Sequence, residues 1–227
     1  MDFDDLYDEN AVIAWDKQLL LSEILGECRW DFSLRTGVLE FTRPGRSTIE
    51  VPAQILGSES EGAGTWLWAW ANTASQIPAQ LVEASLELRM WGEANGVEVL
   101  CAPETPLDEV DGHTLSIVAS GMLAADGYYR GPHDGGAVFF LIPEGALNRP
   151  LPPALPHVAT TFTEAIRQLP IRSHRRALLG YLDAYGFETV QEVPMVRATC
   201  ADGELTAHFD SLGRLAKLES TMHPRRP

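Results

Sequence analysis

The chain has 227 residues, 45% of them hydrophobic and 22% charged, and a formal net charge of −15. A chain of this size and balance buries a core as one large domain or two small ones, which excludes general disorder. No apolar run reaches the about 18 residues that a transmembrane helix needs, and the opening Met1-Asp2-Phe3-Asp4-Asp5 lacks the basic start and apolar stretch of a secretory signal.

The charge is one-sided. Residues 1–112 hold 6 basic and 21 acidic side chains, whereas residues 113–227 hold 11 of each. Such a field repels nucleic acid and anionic membranes and draws in basic partners. Solubility is the plainer reading of the same acidity. Cys28, Cys101 and Cys200 are far apart and form no C-x-x-C pair. That argues against a disulfide framework or a structural zinc site and favours the cytoplasm.

In chain order, the spacing predicts a helix over about 5–25, with Val12, Trp15 and Leu19 on its apolar face and Gly26 as its stop. Acids at its start complement the helix dipole. Strands are expected at 28–34 and 38–42 around a turn at Arg35-Thr36-Gly37, and a third at 47–56. Residues 57–64 read as a Gly/Ser/Glu loop, and Thr65 to Ala71 as an apolar strand. A helix follows from Pro78 to about Glu93, closed by Asn95-Gly96, then another over about 111–125. Strands at 127–131 and 137–142 bracket Pro132-His133-Asp134-Gly135-Gly136. The fold class is therefore α+β, an antiparallel β-meander sheet packed against helices over residues 1–142.

Residues 143–156 carry five prolines and read as a connection. Residues 157–222 then form a C-terminal α-α-β-β-β lobe, either separate or completing one compact unit. Thr161-Phe162-Thr163-Glu164 looks like a capping box, Pro170 stops that helix, and Ser173 caps the next. Strands are expected near 187–192, 195–201, 204–209 and 212–219, with a frayed tail at 223–227.

The most distinctive stretch is Trp66-Leu67-Trp68-Ala69-Trp70-Ala71-Asn72. On a strand the three tryptophans share one face. They form either a core layer or the wall of a ligand pocket completed by Tyr128 and Tyr129, with Arg130 holding an anionic group. His133 and Asp134 add polar groups in a Gly-rich turn. These eight residues are the candidate binding set. Arg167, Arg172, Arg175 and Arg176 form the basic cluster, suited to an anionic ligand or to the acidic first half. No nucleophile elbow, phosphate loop or H-E-x-x-H pair is present, so neither a metal nor a cofactor is expected.

Trp30-Asp31-Phe32, Val51 to Gly57, Thr65 to Asn72 and Gly127-Tyr128-Tyr129-Arg130 together carry a resemblance. Over roughly residues 5–145 the chain resembles a bacterial family of uncharacterised proteins marked by a W-x-W-A-W-x-N strand after a β-meander. The resemblance implies an α+β fold and transfers no activity. The leading expectation is a non-enzymatic acidic interaction protein, of immunity or antitoxin type, that takes a basic protein. The alternatives are a small-molecule binding domain with an aromatic pocket, and an enzyme with a dispersed site drawn from Arg130, His133, Asp134 and Glu164.

Overall fold

The computed structural model describes residues 1–147, 153–201 and 203–222. In chain order they form α1 (Phe3–Leu25), β1 (Arg29–Ser33), β2 (Val38–Thr42), β3 (Ile49–Pro52), β4 (Gln54–Ser60), β5 (Thr65–Trp68), α2 (Glu83–Asn95), α3 (Glu98–Cys101), β6 (Glu104–Pro106), α4 (Gly112–Met122), β7 (Gly127–His133) and β8 (Gly136–Ile142). Then come α5 (Leu155–Gln168), α6 (His174–Ala184), β9 (Glu188–Glu192), β10 (Met195–Cys200), β11 (Gly203–Phe209) and β12 (Leu215–Met222). The fold is α+β, and every strand pairing is antiparallel. Among the described residues no helix is long and apolar enough to cross a membrane.

The chain divides into two compact units. One holds Met1–Phe3 and Lys17–Asn148; the other holds Asp4–Asp16 and Arg149–Pro227. The division therefore runs through α1, whose first half groups with the C-terminal residues. Each half of α1 buries its own face. Ala11, Val12, Ile13 and Ala14 are all buried in the first half, and Leu21 and Leu25 in the second, while Leu19 is exposed. The single stripe through Val12, Trp15 and Leu19 is corrected accordingly.

In the first unit, a three-stranded sheet runs β1-β2-β3 and a five-stranded sheet runs β6-β5-β4-β8-β7. Leu39, Phe41, Val51, Ile55, Phe140 and Ile142 form the apolar cluster that joins them. The expected strand at 47–56 is two strands, interrupted at Ala53, whose N–H turns to the Gly37 carbonyl at 2.8 Å. Gly37 takes φ +68° at the hairpin turn, where a glycine is needed. The expected loop at 57–64 is also corrected. β4 continues through Ser60 because it is paired on both sides, by β5 and by β8. Only the turn beyond it is irregular.

The tryptophan strand is shorter than expected. β5 ends at Trp68, and Ala69–Ala71 is a single 3-10 turn. Trp70 therefore leaves the alternation that would have aligned it with Trp66 and Trp68. The helix expected from Pro78 is likewise split into a 3-10 turn at Ala79–Leu81 and α2 proper. Two short elements, α3 and β6, had no periodic signal. α4 starts where Asp111 accepts the Thr114 N–H at 2.7 Å.

In the second unit the sheet order is β12-β11-β10-β9, with α5 and α6 packed on the sheet, so the expected α-α-β-β-β pattern is corrected to α-α-β-β-β-β: each of the four strand spans pairs into the one sheet. Helix α5 starts at Leu155, earlier than the expected capping box. Thr161 is an interior, buried helical residue. The reason is a continuous apolar stripe, Leu155, Val158, Phe162 and Ala165, with proline in the first turn. Ser173 caps α6 by accepting the Arg176 N–H. The expected proline-rich connection at 143–156 falls partly, and the tail at 223–227 wholly, outside the described residues.

Trp66 fixes the backbone around it. A Cβ on Gly57 would lie 2.3 Å from Trp66 Cζ2 and 2.6 Å from the Leu67 carbonyl oxygen. Gly57→Ala is expected to destabilise the protein by about 2–3 kcal/mol through overpacking. Urea unfolding followed by tryptophan fluorescence measures it, and an unchanged midpoint would contradict this account of the packing.

Candidate functional site

The expected binding residues separate into three places. Trp66 and Trp68 are fully buried on one face of the five-stranded sheet. Their rings meet edge to face with centroids 5.3 Å apart, and Trp66 meets Phe139 at the same distance. Trp68 donates its indole N–H to the Val99 carbonyl at 3.1 Å. The Trp66 indole N–H has no acceptor among the described residues. Trp70 is half-buried in its 3-10 turn, with the Arg89 guanidinium 4.5 Å above the ring.

Tyr128 and Arg130 point to the same face as Trp66, because alternate residues of β7 share it. The Tyr128 hydroxyl lies 3.2 Å from His113 Nδ1. Arg130 Nε is 3.5 Å from Glu59 Oε2, and the guanidinium lies over Phe139. Glu59 Oε1 accepts the Gly112 N–H at 2.9 Å, at the start of α4. One carboxylate thus answers both the guanidinium and the helix dipole. Tyr129 faces the other way and packs edge to face with Phe41 and Trp30. Burial, then the neighbouring Cys28 thiol, pushes the Tyr129 phenol up to about 12. His133 and Asp134 are exposed at the hairpin tip. Glu164 is exposed on α5, in the other unit.

The basic cluster divides as well. Arg172 pairs with Asp4 at 2.7 Å and Arg176 with Asp5 at 3.0 Å, while Arg175 reaches Gln191 at 2.8 Å. The acidic start of α1 takes these arginines within the chain. Buried Asp8 adds a second tie by accepting the Arg172 and Ser173 N–H groups at 2.9 Å each.

Two arrangements had no sequence reading. The first centres on Asp16, buried in α1. Its carboxylate accepts from the Tyr181 hydroxyl at 3.0 Å and the Tyr185 hydroxyl at 2.6 Å, and lies 2.7 Å from His157 Nε2. Thr161 Oγ1 is 3.2 Å from the same nitrogen. Burial raises the Tyr181 phenol far above its ordinary range, and the Asp16 charge adds to this. Half of the His157 side chain is in solvent. The second arrangement lies on the outer face of the three-stranded sheet. Register places Asp31 opposite Glu40, and Glu40 opposite Glu50, so three carboxylates stand in one row. Among the described residues no ion pair engages any of them.

Cys28, Cys101 and Cys200 are free. Among the described residues, no group of three or more His, Cys, Asp or Glu is placed to hold a metal ion. A family model described as a family of unknown function, DUF6882, matches residues 4–144, nearly the span of the resemblance seen in the sequence. No curated protein and no solved structure matches the chain.

Asp16→Ala removes the acceptor of two tyrosines and a histidine at once. It is expected to cost about 3 kcal/mol, whereas Tyr185→Phe, which removes one half-exposed donor, costs about 1 kcal/mol. Equal losses in chemical denaturation would show that Asp16 is not the common acceptor.

Proposed function

The chain belongs to this family, and we propose that it is a cytoplasmic, non-enzymatic binding protein that takes a basic protein on the outer face of its three-stranded sheet. The observation that carries the reading is the row Asp31, Glu40 and Glu50. Like charges directly opposite one another weaken a sheet. The row therefore costs the free protein stability, and a cationic surface laid across it recovers that cost. The row also lies in the half of the sequence that holds all the excess negative charge. A field of one sign speeds capture of the oppositely charged partner and rejects others. Neutralisation of a cationic toxin, the immunity or antitoxin role, matches this chemistry.

The row makes two predictions. Glu40→Gln, at its centre, raises stability by up to about 1 kcal/mol at low salt, and the gain shrinks as salt screens the charges. Native mass spectrometry of the protein purified from its host then finds a basic protein bound at low ionic strength. That partner is lost near 0.5 M salt, on the order of a 4 Å Debye length, and is absent from the Asp31→Asn, Glu40→Gln, Glu50→Gln triple variant. A partner retained by the triple variant would place the interface elsewhere.

A second reading rests on the Asp16–His157 contact. Donation from Nε2–H to the buried carboxylate fixes the tautomer and leaves Nδ1 to accept a proton, the arrangement of a general base. His157→Gln would then lower any hydrolytic activity of the chain by about a hundredfold or more. An activity that survives this substitution rules the reading out.

A further inference from the structure

The second unit contains a histidine whose protonation is incompatible with its contact. His174 opens α6. Its Nδ1 accepts the Leu215 N–H at 3.1 Å, at the first residue of β12. An imidazole nitrogen accepts only while it carries no proton. Protonation would set N–H against N–H, and the contact must open.

The surroundings make this contact a clasp. The β11–β12 turn closes on itself through Asp210, which accepts from the Leu212 and Arg214 N–H groups at 2.9 Å and from Arg214 Nε at 3.0 Å. That closed turn is fastened to α6 at two adjacent points, the Arg175 N–H to the Gly213 carbonyl at 3.0 Å and Leu215 to His174. Beyond it, β12 is an edge strand in which only Leu215 and Leu218 are half-buried. With so little apolar burial, the strand relies on its ladder with β11, on its packing against α5 and, at its start, on the clasp.

We propose that His174 is an acid-released latch that holds the start of edge strand β12 against α6 and lets it go on protonation. Burial lowers the His174 pKa; Asp8 from α1 and Asp210 from the turn pull it up, and Arg214 pushes it down. A histidine pKa lowered by folding gives stability that is complete above the ordinary value of 6.5 and is lost as pH falls through the folded value. The other histidine facing β12 is His208 on β11, which lies 3.8 Å from Glu219 of β12; Glu219 also pairs with Lys217.

Amide hydrogen exchange on the full chain, corrected for intrinsic rates, tests the latch. Between about pH 7.5 and pH 5, protection at Leu215 to Leu218 should fall by about tenfold or more while β10 holds its protection. In His174→Asn, whose side-chain oxygen accepts but does not titrate, the fall should vanish; in His208→Gln it should persist. The latch is overturned by an equal fall in His174→Asn, by unchanged protection in the wild type, or by β10 opening together with β12. Nitrogen-15 spectra of the imidazole give a test that needs no variant: Nδ1 must be the unprotonated nitrogen at about pH 7.5, and a proton found there overturns the latch.

Discussion

The first unit is organised by the space Trp66 requires. The ring is fully buried, flanked by Trp68 and Phe139, and closed in by the backbones of Gly57 and Gly112. A Cβ on Gly112 would lie 2.7 Å from Phe139 and 2.8 Å from Trp66. Glycine is therefore needed both where β4 passes beneath the indole and where α4 begins above it. Interiors packed to crystal-like density leave no slack for such additions. The start of α4 is set in turn, and with it the reach of Glu59 to the Gly112 N–H and of His113 to Tyr128. The polar margin of this face thus follows from the apolar packing.

The second unit is organised instead by two buried carboxylates on α1. Asp8 receives two backbone N–H groups just before α6, and Asp16 gathers Tyr181 of α6, Tyr185 at its C-terminal cap and His157 of α5. Buried carboxylates are costly unless fully hydrogen-bonded, so each dictates the groups placed around it. This accounts for the grouping of the first half of α1 with residues far along the chain. It also gives the N-terminal acids a structural task, in Asp4 and Asp5 as well as Asp8. Among the described residues, no ion pair engages the outer row Asp31, Glu40 and Glu50 of the three-stranded sheet.

Some of this was legible in the sequence. The helix stop at Gly26, the hairpin around Gly37, the end of α2 at Gly96 and the Ser173 cap were all readable, because each depends on a few adjacent residues. Element boundaries set by distant partners were less so. β4 extends through a Gly/Ser/Glu stretch only because β5 and β8 pair with it on both sides. The Asp16 cluster spans 165 residues between Asp16 and Tyr181, and no periodicity reports that. Two faint signals were present: a charged Asp16-Lys17 pair beside the apolar Ala11 to Trp15, and the tyrosines Tyr181 and Tyr185, four residues apart at the end of α6.

By itself the sequence determined the α+β class, the antiparallel pairing of neighbouring strands, the order of most elements, the concentration of charge in the first half and the absence of familiar catalytic motifs. These follow from composition, alternation and turn chemistry, which act over a few residues. Tertiary structure alone decided that Trp70 leaves the face of Trp66 and Trp68, that Asp31, Glu40 and Glu50 share one row, and that His174 receives the Leu215 N–H. Each depends on register or on a contact between distant segments, and such contacts are selected by packing and hydrogen-bond satisfaction across the whole unit.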